Sequence, residues 1–205
     1  MTYPTPSGFL ELRHASTDHP IFVVVPERRF YAIDGRGEPG AADFRLGTSA
    51  LRIVVEILLR HLRQAGIVTA DHAGIAECAW WPPDTLSPAE LPVAFGDRST
   101  WHWRQLLELP SRATESNALE AIDGARRAAG RDVALVRRLD LTEGSAAQML
   151  HVGPRGTEAV TVRRLFDAIA DAGLQPVGPL HTMTFADPEV AAHGLGRSIV
   201  RQPVA

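Results

Sequence analysis

All four tryptophans of the 205-residue chain fall in two short segments, Trp80-Trp81 and Trp101-His102-Trp103, although aromatic residues make up only 6% of the sequence. Indole rings gathered this way either pack a core or offer flat faces for a flat ligand to stack on. Glu77 stands three residues before Trp80. A carboxylate beside indole rings suits a lipophilic cation, because each cation–π contact contributes roughly 0.5–2 kcal/mol. The plainer reading of Glu77 is a solvated residue at a strand end, since an unpaired buried carboxylate is costly.

Other reactive types form no recognisable centre. The eight histidines show no i, i+4 pair, so no metal is expected. Cys78 is the only cysteine, which excludes a disulfide framework or a multi-thiolate zinc site. No Gly-x-Ser-x-Gly elbow occurs. Gly35-x-Gly37-x-x-Gly40 matches a dinucleotide fingerprint formally, but Pro39 interrupts it and the segment reads as a glycine-rich turn that ends a strand. No cofactor is expected.

The elements that position these residues follow from periodicity. Strands are predicted at 21–25, 29–34, 76–81, 100–109, 133–139, 145–152, 180–185 and 198–201. Residues up to about 20 read as an arm, and the prolines at 82, 83, 88 and 92 as a loop connection. Helices are predicted at 48–64, 114–129 (capped by Thr114) and 157–172 (capped by Thr157). The first and third end alike, Ala65-Gly66-Ile67 and Ala172-Gly173-Leu174. Strand, helix and strand thus recur in two halves, at about 20–95 and 98–205 of a single domain spanning 1–205. Two such modules paired edge to edge form one antiparallel sheet with both helices on one face, related by an approximate two-fold axis, and a ligand cleft on the other.

Composition agrees with a globular protein: 45% hydrophobic, 22% charged and a net charge of −3. That balance argues against nucleic acid as a partner. Apolar runs such as 53–59 are too short to cross a bilayer, and the opening MTYPTPSGF lacks the basic and apolar regions of a secretory signal, so a cytoplasmic protein without a membrane partner is expected.

FYAIDGRGEP, ECAWW, WHWRQLLELP, EGSAAQMLHVGP and RSIVRQPV, in that order, resemble the stand-alone GyrI-like small-molecule-binding proteins over about residues 20–204. The resemblance implies an α+β tandem repeat of strand–helix–strand–strand modules. It implies a binder of hydrophobic, often aromatic and cationic compounds, and a monomer is expected. It also carries an enzymatic alternative, hydrolysis of cyclopropane-type DNA-alkylating natural products, and a further partner, DNA gyrase or another protein. Where the family commonly has Glu and Tyr ahead of an Asp-Pro turn, this chain has Thr182 and Thr184 ahead of Asp187-Pro188, and Gly-Pro-Tyr is replaced by Gly153-Pro154-Arg155. Loss of that carboxylate and phenol weakens the case for hydrolysis, which would fall to Glu77, His102 or His151.

The expected ligand site therefore comprises Trp80, Trp81, Trp101 and Trp103 as walls, Met149 as a liner, Glu77 as charge partner, and Thr182 and Thr184 as polar, space-making positions. Strand alternation sets Met183 and Phe185 on the opposite face, against the helices. The expected activity is sequestration of flat, lipophilic compounds, cations among them.

Overall fold

Phe30 and Ala32 point to one side of their strand and Tyr31 and Ile33 to the other, and this alternation, repeated across eight strands, builds two unlike faces. The computed structural model describes residues 14–67, 76–84, 86–87, 90–154, 157–185 and 196–205. Asp187-Pro188 and Arg155 lie outside them. Along the chain run β1 (Ile21–Val25), β2 (Arg28–Arg36), α1 (Ala42–Gln64), β3 (Ala76–Trp81), α2 (Leu91–Ala94), β4 (His102–Glu108), α3 (Glu115–Ala129), β5 (Arg137–Leu141), β6 (Gly144–Gly153), α4 (Ala159–Asp171), β7 (Leu180–Phe185) and β8 (Gly196–Pro203). No helix among the described residues is long and apolar enough to cross a membrane.

The strands form one antiparallel sheet in the order β1-β6-β8-β7-β3-β4-β2-β5. Read outward from the centre, β3-β4-β2 on one side matches β7-β8-β6 on the other, so β2-α1-β3-β4 and β6-α4-β7-β8 are one module used twice. α1 and α4 share a continuous apolar core on the same face of the sheet, as the repeat requires. Their C-termini close identically. Gly66 N–H donates to Arg63 O and Ile67 N–H to Leu62 O; Gly173 N–H donates to Ala170 O and Leu174 N–H to Ile169 O. Both glycines have φ near +70° (73° and 71°), which this cap demands. Carried across both halves, the register sets the pseudo-two-fold axis at the Cys78–Thr182 pair.

The outermost strands are exchanged. β1 precedes β2 but pairs with β6, while β5 precedes β6 but pairs with β2. The links are only Pro26-Glu27 and Thr142-Glu143. In a flat sheet each link would span six strand spacings, about 29 Å, yet three peptide steps reach at most about 11 Å. The sheet must curl so that its two ends approach, and the face without helices is the inside of the curl.

Packing moved several boundaries. α1 begins at Ala42, six residues before the predicted start at Thr48, and Ala41 at its N-cap makes no side-chain cap bond. Thr48 is internal and donates back to Phe44 O. The added turns deliver Phe44 onto Trp80 and Trp103, and that contact repays an uncapped start. Thr157 does not cap α4: Glu158 holds the N-cap, again without a cap bond, and the Thr157 hydroxyl donates to Pro154 O. The predicted strand at 133–139 is a 3₁₀ turn, Gly130–Val133, followed by β5. The proline-rich connection contains α2. Thr114 does cap α3, in a reciprocal pair with Asn117.

The glycine-rich segment divides in function. Gly37 and Gly40 turn the chain with positive φ (103° and 88°), whereas Gly35 lies within β2 opposite Trp103. A Cβ on Gly35 would sit 2.1 Å from Trp103 Cζ2, so the ring occupies the space a side chain would need. Gly35→Ala should therefore destabilise the fold by roughly 1–3 kcal/mol, read from urea unfolding. In a double-mutant cycle with Trp103→Leu most of that cost should disappear; an equal cost in both backgrounds would remove the indole as its cause.

Candidate functional site

Two clusters of functional side chains lie on opposite faces of the sheet. On the helix face, one row across the sheet runs Ile33, Gln105, Cys78, Thr182, Val200 and Met149. Over its centre lies Trp80. Its indole N–H donates to Thr182 Oγ1 at 2.9 Å, and its ring stacks on Phe44 at 5.7 Å with an interplanar angle of 7°. Phe95 meets Trp80 edge-on at 6.5 Å and Trp101 at 5.5 Å; Phe44 meets Trp103 at 5.3 Å. The Arg98 guanidinium lies 4.6 Å from the Trp80 ring centre and 4.2 Å from that of Phe95. Phe95, Arg98 and Trp101 all come from α2's C-terminal side, where Trp101 N–H donates to Arg98 O and Phe95 N–H to Leu91 O.

The sequence expectation is redrawn here. Trp80, Trp101, Trp103, Met149 and Thr182 do converge, on the helix-covered face, and all are buried. Thr184 shares that face but is exposed. Glu77 and Trp81 are on the other face, because neighbours along a strand alternate. Glu77 is therefore not the charge partner of the ring cluster. Trp81 is covered by Arg104 (5.1 Å), which Asp34 neutralises at 2.6 Å. Met183 also lies on the far face, its sulfur accepting from Arg201 at 3.5 Å, so it does not pack against the helices as expected. His102 is exposed. His151 is held between Thr161 (2.9 Å) and Thr157 (3.2 Å). Sequence reasoning missed Phe44, Phe95 and Arg98. Only Gly47 hints at Phe44's helix lying close: a Cβ there would come within 3.3 Å of Trp103 and Ile33.

Inside the curl, Glu77 and His181 each stand one residue before the pseudo-axis pair, and His181 Nδ1 donates to Glu77 Oε1 at 2.6 Å. Arg28 contacts both Glu77 oxygens (2.9 and 3.1 Å) and Glu143 (2.6 Å). Arg201 contacts Glu143 at 3.0 Å and Gln148 at 2.9 Å. Glu143 belongs to the β5–β6 link, and Arg28 and Arg201 would be four strands apart in a flat sheet. The cluster thus clamps the curl. Burial alone would raise the Glu77 pKa, but Arg28, the His181 hydrogen bond and Arg201 outweigh it and hold the carboxyl far below its usual range. Glu77, Glu143 and Glu108 in turn raise the Arg28 pKa against its own desolvation.

Glu77, Glu143 and His181 offer ligand atoms within 4.8 Å of one another. A cation there would have to displace Arg28 and Arg201 and strip both buried guanidiniums of the carboxylates that hold them, so the donor set does not fit a metal.

No protein-family model and no curated protein matches the chain. Solved structures do. An uncharacterized conserved protein from Listeria innocua superposes with a TM-score of 0.81 at 23% identity, covering 96% of this chain and 97% of its own. A hydrolase from Listeria innocua gives 0.73 at 24% identity over 96% of each chain. The EcmrR C-terminal domain gives 0.57 at 10% identity, covering 91% and 97%. At these identities the likeness is one of fold. The chain has the GyrI-like α+β fold, an eight-stranded antiparallel sheet with four helices among the described residues.

Because the Glu77 pKa is lowered in the folded state, its contribution to stability is complete above the unfolded value near 4.3 and is lost as pH falls below it. Glu77→Gln should cost roughly 3–5 kcal/mol at neutral pH. It should also flatten the dependence of urea stability on pH between about 5 and 2. A variant that keeps the wild-type acid slope would assign that slope to another carboxylate.

Proposed function

We propose that the protein binds flat, lipophilic small molecules beneath α2 and residues 95–101, on the helix side of the central strands, and shields them from water as one unit built from both halves. One observation carries most weight. At the pseudo-axis Trp80 is covered by Phe44 of α1 on one side and by Phe95 and Arg98 on another, and Trp101 by Phe95, so much of the cover over both indoles comes from a four-residue helix and the loop after it. Such cover opens at lower free energy than scaffold helices do, and ligand sites are commonly formed by loops on a rigid frame. Opening it offers two indole faces, the adaptable thioether of Met149 and the hydroxyl of Thr182.

The chemistry of that face favours binding over turnover. Thr182, Thr184 and Met149 carry no group that titrates near neutrality, and burial pushes the Cys78 thiol well above its ordinary value. These positions supply no general acid–base help, which is typically worth about 10²- to 10⁴-fold. The hydrolytic reading draws on one feature, the Glu77–His181 carboxylate–imidazole pair, but this pair is buried on the far face and held by Arg28.

N-phenyl-1-naphthylamine, a flat neutral probe, should quench the intrinsic tryptophan fluorescence saturably, and Trp80→Ala should weaken its binding by roughly tenfold or more. Absence of quenching by any flat aromatic compound would end the binding proposal. A strained cyclopropane electrophile should be protected one-to-one; rapid multiple turnover, lost in Glu77→Gln, would put hydrolysis first.

A further inference from the structure

Trp80 and Trp81 each carry an arginine over the ring, and the two arginines differ in one respect. Arg104, over Trp81, is paired with Asp34, and Trp81 is only half-buried. Arg98, over Trp80 and Phe95, is 8% exposed, and among the described residues its side chain makes no hydrogen bond and no ion pair. Among the described residues its guanidinium meets two ring faces and no hydrogen-bond acceptor. Burial depresses its pKa, and the carboxylates whose charges reach it, Glu158 and Glu38, oppose this from beyond ion-pairing distance. A guanidinium remains charged at neutral pH despite such a shift. Glu158 lies at the N-terminus of α4, with Oε2 buried and likewise unpartnered.

The ring faces that would receive a guest cation are thus already occupied by a cation of the chain itself. No carboxylate on the central strands faces them: Cys78, Trp80, Thr182 and Thr184 fill those positions, and Glu77 is on the other side. Resting on the binding site proposed above, we infer that its ligands are aromatic anions, flat rings bearing a carboxylate or sulfonate, with Arg98 as the anion-binding residue and the ring cluster as the stacking wall. A carboxylate or sulfonate oxygen pair matches the guanidinium fork in a bidentate contact. Such a guest supplies the acceptors that Arg98 lacks, whereas a cation would have to expel Arg98 from its rings. Glu158 opposes the guest's charge and sets an upper bound on its affinity.

The test compares three probes by isothermal titration: 8-anilinonaphthalene-1-sulfonate, its neutral counterpart N-phenyl-1-naphthylamine, and the flat cation ethidium. The sulfonate should bind the wild type at least tenfold more tightly than the neutral probe, and ethidium most weakly. Arg98→Gln should abolish the sulfonate's advantage while leaving the neutral probe bound. Arg98→Lys should retain only part of it, because the ammonium lacks the planar fork, and Glu158→Gln should increase it. Far-UV circular dichroism and a cooperative thermal transition establish that each variant is folded before its affinities are compared. Equal affinity for sulfonate and neutral probe, or tighter binding of ethidium, overturns the anion assignment and leaves the binding site standing. Failure of all three probes to bind the wild type removes the site itself.

Discussion

Two links of two residues each constrain the rest of the molecule. Pro26-Glu27 and Thr142-Glu143 join strands that the pairing order places six positions apart, and no flat sheet satisfies both connections. The curl they impose brings Arg28, from one end of the sheet, and Arg201, from the other half, onto a single carboxylate, Glu143. Buried charges are poor sources of net stability, but they are strict about geometry, since losing one partner strands the others. Three carboxylates, Glu77, Glu143 and Glu108, meet two guanidiniums here, and His181 donates its Nδ1–H to Glu77. The clamp therefore specifies how far the sheet closes. It also holds Glu77, on the central strand β3, away from the helix side.

The repeat was legible because its signals are local. The matched glycine caps of α1 and α4, the apolar stripes at helical spacing and the strand alternation each act within a few residues, and all three survive in the structure. Trp80 and Trp81 facing opposite ways follows from the pleat alone. What the sequence concealed depends on contacts across the chain. The early start of α1 is fixed by where Phe44 lands, not by a capping residue. The role of Gly35 depends on an indole 68 positions away on β4. Glu77 sits within four residues of two indoles in sequence, yet its partners, Arg28, Glu143, His181 and Arg201, are all distant and were invisible until the curl was known. Proximity along a strand misleads in just this way, because adjacent side chains are separated by the sheet itself.

The two tryptophans at the end of β3 give the same lesson for arginine. A guanidinium over an indole is a common packing device, and Arg104 shows its ordinary form, neutralised by a nearby aspartate at the sheet surface. Arg98 adopts the same pose with no ion pair among the described residues and with little solvent. The ring contact is alike in the two cases, so only the surroundings of the positive charge separate a structural arginine from one that can still accept a partner.

The exchange of outer strands also decides when the protein can fold. β1 is synthesised well before its partner, because every residue it pairs with in the sheet, from Gly144 to Gln148, is more than a hundred residues further along. Until that stretch has been made, Ile21–Val25 is an apolar strand without its sheet neighbour. Chains dominated by such long-range pairings fold slowly and expose sticky edges while they do so. The first half of this protein therefore cannot become an independent folding unit ahead of the second, and the two topologically matching modules must be completed together, each by the other's leading strand.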